Sequence, residues 1–66
     1  MRPVIRTLIV DDESVARKVL REELDLMAEI QVVGEAEGGN EALRQITELA
    51  PDVVFLGSPN ARDERV

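Results

Sequence analysis

Leu8-Ile9-Val10-Asp11-Asp12-Glu13 runs three apolar residues straight into three carboxylates. A continuous apolar run bounded by polar residues predicts a strand buried on both faces, as in a parallel sheet. The acids then stand at its carboxyl end, where open α/β sheets bind ligands. Adjacent carboxylates repel one another and favour a bound proton or cation, and paired hard oxygens suit Mg²⁺. One reading of Asp11 and Asp12 is a divalent-metal site at the top of the first strand. The other is a solvated turn that opens a helix, and the stretch by itself leaves both open.

Outward from this stretch, the first strand spans Val4 to Val10 and a helix starts near Ser14, a residue type suited to the N-cap. Acids ahead of it suit the positive end of the helix dipole. Ala16, Val19, Leu20, Leu24 and Met27 recur at helical spacing and predict one apolar stripe. Arg17, Lys18, Arg21, Glu22 and Asp25 fall mostly on the other side. Arg21, Glu22, Glu23 and Lys18 read as ordinary surface charge. Ile30 to Ala36 is a second strand centred on Val32 and Val33. Gly34 within it leaves room for a bulge or a close backbone approach, with packing the simpler role. After the Glu37-Gly38-Gly39 loop, a second helix from about Asn40 to Leu49 should bury Leu43, Ile46 and Leu49 or Ala50. Its exposed side carries Glu41, Arg44, Gln45 and Glu48. Pro51 ends it, and Val53 to Leu56 forms a third apolar strand. Strand, helix, strand, helix, strand predicts an α/β unit with parallel strands and right-handed crossovers. Gly57 to Val66 shows neither helical nor strand period and reads as a polar tail, so the chain divides into 1–56 and 57–66.

At 66 residues the chain is at most one small domain, and at that size only ~60% of the unfolded surface is removed on folding. Hydrophobic residues make up 44% and charged residues 33%, a globular composition. The net charge of −6 argues against nucleic-acid binding by this segment, since phosphate contacts need Lys and Arg. Without Cys or His there is no disulfide, thiolate site or imidazole chemistry. Phe55 is the single aromatic residue, so there is no platform for stacking bases. The apolar runs are too short to span a membrane, and the N-terminus lacks a signal-peptide core. The cytoplasm is therefore the expected location. Gly38-Gly39 is no phosphate loop, because no Lys-Ser/Thr follows. The lack of a glycine-rich turn after the first strand disfavours dinucleotide binding. The adjacent pair Asp11-Asp12 is not the D-x-D of an aspartate-nucleophile phosphatase.

Taken together, Leu8 to Glu13, Arg17, Val33-Gly34-Glu35-Ala36, Glu41-Ala42-Leu43 and Pro51-Asp52-Val53-Val54-Phe55-Leu56 resemble the receiver domain of bacterial two-component response regulators, with matching spacing from residue 4 to 56. Gly38 departs slightly, where a polar Asn is usual. The resemblance implies part of a flavodoxin-like fold with strand order 2-1-3 out of 2-1-3-4-5 and one helix on each face. It implies that Asp11 and Asp12 hold Mg²⁺, and that an aspartate ending the third strand takes a phosphoryl group from a histidine kinase. That position is Gly57, which has no side chain to phosphorylate. The later hydroxyl residue and lysine of the family site are absent too. The expectation is a receiver truncated at its phosphoacceptor, not an enzyme, with Mg²⁺ binding weak or absent. The alternative is a non-catalytic fragment that associates with itself or a partner. The strand at 53–56 would be an edge and the site of homo-oligomer formation.

The tail has an account in the genetic code. Gly57 to Val66 can be written GGA TCT CCA AAT GCC CGT GAT GAA CGG GTT. Removing the first G gives GAT CTC CAA ATG CCC GTG ATG AAC GGG TT, which reads D-L-Q-M-P-V-M-N-G. That resembles the receiver segment beginning at the phosphoacceptor. A one-base insertion is the expected origin of the tail, against a designed or vector-derived one. The coding DNA at codon 57 decides between them.

Overall fold

The structure is a computed structural model and describes residues 3–57; the rest of the predicted tail, 58–66, lies outside the described residues. The elements follow the expected order: β1 (Ile5–Val10), α1 (Ser14–Asp25), β2 (Ile30–Ala36), α2 (Gly39–Leu49) and β3 (Val53–Leu56). The three strands form one parallel sheet in the order β2-β1-β3. The chain leaves β1 for β2 on one side, then crosses back over β1 to reach β3. Right-handed crossovers in these opposite directions place α1 and α2 on opposite faces.

β1 sits between both neighbours, which explains its continuous apolar run. Leu8 and Val10 point to the α2 side, where they form a core layer with Ala36, Ala42 and the half-buried Val54. Strand alternation sends Thr7 and Ile9 to the opposite face, the side on which α1 buries Leu24. Thr7 and Ile9 are fully buried, and the Thr7 hydroxyl donates to the Ile5 carbonyl at 3.2 Å. The register of β1 with β3 is regular from Thr7↔Val53 to Val10↔Leu56. With β2 it shifts between Thr7↔Val32 and Leu8↔Gly34, so Val33 is the extra residue of a bulge.

Of the roles foreseen for Gly34, the structure shows the close approach and packing, while the bulge itself falls on its neighbour Val33. Gly34 lets α2 approach: a Cβ there would meet the Gln45 side-chain oxygen, Leu49 Cδ1 at 2.9 Å and Leu8 Cδ1 at 3.2 Å.

The helices differ from expectation in detail. Ser14 is the first helical residue rather than the cap; Glu13, in extended conformation, holds the cap position without a side-chain cap bond. α2 begins at Gly39, with Gly38 as its cap. On α1, Leu24 is buried and Ala16 and Leu20 are half-buried, while Val19 stays about half exposed, as does Met27, which lies beyond the end of the helix. On α2, Leu43 (65%) and Ile46 (38%) are exposed instead of buried. The reason is a rotation set by polar contact. Gln45, expected outside, donates its amide to the Glu35 carbonyl at 2.7 Å, so the line facing the sheet is Ala42, Gln45 and Leu49.

Ala50 is exposed and left-handed (φ 48°, ψ 59°), and caps the helix by donating its N–H to the Ile46 carbonyl. This is the usual way to end a helix, with a residue other than the usual Gly. Arg6 fastens this corner by donating to the Ala50 carbonyl at 2.9 Å. Asp52 then brackets the Arg6 backbone: its carboxylate accepts the Arg6 N–H and its own N–H donates to the Arg6 carbonyl. These bonds set the start of β3 beside β1.

Replacing Gly34 by Val should lower the urea midpoint by an amount equivalent to about 1–3 kcal/mol, the range for overpacking a core. An unchanged midpoint would show that α2 moves away freely.

Candidate functional site: the acidic turn

β1 hands the chain into the acidic turn with its pairing still intact. The Asp11 N–H donates to the Ala36 carbonyl at 3.0 Å, continuing the ladder with β2. The Asp11 side chain is buried, at 2% exposure, whereas Asp12 and Glu13 are exposed. Asp11 Oδ1 accepts the Glu13 N–H at 2.9 Å. This side-chain-to-backbone closure two residues ahead is an Asx turn. It does the local work that a serine cap was expected to do, since it fixes Glu13 extended just before the first helical residue.

The other oxygen of Asp11 faces β3. Gly57 continues the β1–β3 pairing by donating its N–H to the Val10 carbonyl at 2.9 Å. A Cβ built on Gly57 would lie 2.7 Å from Asp11 Oδ2. Residue 57 and the acidic turn are therefore next to one another, at the carboxyl ends of β1 and β3. This is also where the chain reverses its direction across the sheet, the switch point at which doubly wound sheets bind ligands.

Asp11 and Asp12 supply hard oxygen donors of the kind Mg²⁺ takes, and Mg²⁺ commonly uses one or two carboxylates and keeps waters. Gly57 adds no donor. Among the described residues, no group of three or more His, Cys, Asp or Glu side chains is arranged to hold a metal ion.

Two residues of this region were not legible as such. Arg17 was placed with the polar side of α1, yet its side chain is only 15% exposed. It donates from Nη1 to the Asp11 carbonyl at 2.8 Å and from Nε to Glu35 Oε1 at 3.3 Å. Glu35 also accepts from Arg21 Nη1 at 2.7 Å. No spacing rule links a residue near the end of one strand to the first turns of the preceding helix.

A parallel sheet crossed by helices on both faces, with an acidic turn at its switch point, defines the doubly wound, flavodoxin-like class. Within that class, the chain belongs to the response regulator receiver domain family, which matches residues 7–58. It is 50% identical over 52 residues to protein-glutamate methylesterase/protein-glutamine glutaminase 5 of Myxococcus xanthus, covering 79% of this chain and 15% of that protein. It is 45% identical over 53 residues to an uncharacterised response regulatory protein of Vibrio parahaemolyticus, covering 80% and 22%. The solved signal receiver domain of the response regulator NarL from Mycobacterium tuberculosis superimposes with a TM-score of 0.80 at 34% identity, covering 83% of this chain and 44% of that one. These residues thus hold only part of a receiver domain. Receiver domains are phosphorylation modules that work with histidine kinases and are not themselves enzymes. No helix among the described residues is long and apolar enough to cross a membrane.

The Asx turn gives a direct prediction. Asp11→Asn keeps an oxygen for the Glu13 N–H, whereas Asp11→Ala removes it and leaves a part-buried N–H without its side-chain acceptor. The Ala variant should be less stable than the Asn variant by about 1 kcal/mol in chemical denaturation. Equal stabilities would mean that the turn does not depend on this bond.

Proposed function

We propose that residues 1–56 are the amino-terminal half of a phosphorelay receiver in which the position facing the acidic pair is Gly57, and that this chain accepts no phosphoryl group. The observation that carries the reading is the contact geometry at residue 57, whose Cβ direction leads straight to Asp11 Oδ2. A carboxylate there would complete a three-acid cluster; glycine leaves two. Asp11 and Asp12 are the residues that would hold Mg²⁺, weakly. In an intact receiver the ion would offset charge on the transferred phosphoryl oxygens, and a histidine kinase would be the donor. Residues 57–66 are then a non-family tail, with a one-base insertion at codon 57 as its origin. The cytoplasm suits this role, and the net charge of −6 speaks against nucleic acid as a partner of this segment.

Incubation with Mg²⁺ and a small acyl phosphate should leave the intact mass unchanged; a stable phosphoryl adduct would overturn the proposal. Gly57→Asp adds a third carboxylate. It should lower the melting temperature without Mg²⁺, through like-charge repulsion, and raise the Mg²⁺-dependent stabilisation above that of the parent chain.

A second reading, self-association through β3, is favoured by one observation. β3 carries no charged residue and leaves Val53 (40%), Phe55 (37%) and Leu56 (65%) exposed. Such an edge can pair with a second copy. Light scattering on the 66-residue chain at micromolar concentration should then give a dimer or larger species, and a compact monomer would remove this reading.

A further inference from the structure

We propose that Arg17 is the positioning residue of the acidic turn, and that Glu35 anchors it to the sheet. This rests on reading Asp11 and Asp12 as a cation-directed pair. Such a pair works only while the turn keeps Asp11 against residue 57.

The geometry is a chain of contacts across three elements. The Arg17 guanidinium, carried on the first turn of α1, reaches back to the Asp11 carbonyl at the end of β1. A second nitrogen of the same group meets Glu35 Oε1 on β2. A planar guanidinium presents its donors in a fixed fork, so two acceptors on different strands hold it in one orientation. Glu35 is fixed in turn. Its second oxygen takes the 2.7 Å bond from Arg21, one helical turn further along α1. Its backbone carbonyl accepts from Gln45 of α2. Both helices therefore meet the sheet at this residue, one through its side chain and one through its backbone.

The bulge at Val33 makes the arrangement possible. With the extra residue, Gly34 pairs with Leu8 and Glu35 with Ile9, so Gly34 faces α2 and Glu35 faces α1. A one-residue slip would exchange them. Glu35 would then lose its arginines, and a side chain would point into α2. Arg17 is also placed to act on the turn in a way an exposed pair is not. Its side chain is largely buried, and its bond goes to a backbone carbonyl, so it fixes the path of the chain rather than the charge of a side chain.

The test uses the full chain and two readouts. Hydrogen exchange at the Glu13 amide reports the turn, because that N–H is held by Asp11 Oδ1. Arg17→Ala should reduce Glu13 protection roughly tenfold beyond any loss at the Leu8 and Ile9 amides, the effect of one net hydrogen bond. Arg17→Lys should restore part of it, since an ammonium can serve one acceptor but not the fork. In the Gly57→Asp background, Arg17→Ala should weaken Mg²⁺ binding measured by calorimetry about tenfold, as loss of a residue supporting a ligand does. Glu13 protection falling only in step with the core amides would overturn the role of Arg17. A Gly57→Asp chain that binds no Mg²⁺ would overturn the cation reading, while Glu13 exchange still judges Arg17.

Discussion

The structure depends first on the burial of β1 between two parallel neighbours. Its backbone pairs with β2 on one edge and with β3 on the other, so the strand has no free edge. Its side chains alternate between the two layers: Leu8 and Val10 on the α2 side, Thr7 and Ile9 on the other. A strand in this position must be apolar on both faces, and Leu8-Ile9-Val10 is. Its last pairing partners also decide where the polar residues go. Asp11 still pairs through its N–H with Ala36, and Val10 accepts from Gly57. The acidic turn is consequently held from both sides by backbone bonds before any of its side chains contributes.

Those side chains then make the turn specific. Three successive carboxylates in one turn oppose each other, and burial of Asp11 adds to the cost. Two features offset it. One Asp11 oxygen is satisfied by the Glu13 N–H, and the other has space beside a residue without a side chain. The turn is further tied through Arg17 to β2, whose register the Val33 bulge has already shifted. An irregularity in the middle of the sheet is thereby connected to the geometry at its end. The same bulge aims Gly34 at α2, where a small residue is needed, and Glu35 at α1, where two arginines await it.

The parts that the sequence made legible are those governed by local periodicity and composition. The buried run of β1, the apolar spacing of the helices, the stop at Pro51 and the parallel order of strands all follow from rules acting over a few residues. The acidic pair was legible for the same reason, being adjacent in the chain. The rest depends on groups far apart in sequence. Ser14 looked like a cap because its type is right, but Asp11 reaches the Glu13 amide first and sets the helix start. Leu43 and Ile46 looked buried because their spacing fits a stripe. The Gln45–Glu35 bond turns α2 so that Ala42 and Leu49 face the sheet instead. Arg17 fell on the polar side of the helical stripe, and its contact with Glu35 was not legible because that partner is eighteen residues away, on an element whose register periodicity alone does not reveal.

Geometry and affinity separate at this site. The position of Asp11 is fixed by contacts made entirely within the described residues: its pairing with Ala36, its bond to Glu13 and its tie to Arg17. None of them requires a side chain at residue 57. The half of the site carried by β1 can therefore keep its shape whichever residue stands opposite. What residue 57 changes is the number of oxygens a cation would find and the presence of a group that could take a phosphoryl transfer. Glycine at that position lowers the charge density of the cluster. On the reading proposed above this would weaken cation binding, and it also removes the repulsion that a third carboxylate would bring to a metal-free turn. The loss of chemistry proposed for residue 57 would thus be compatible with retention of the fold, because the interactions that build the acidic turn and those that would use it involve different atoms.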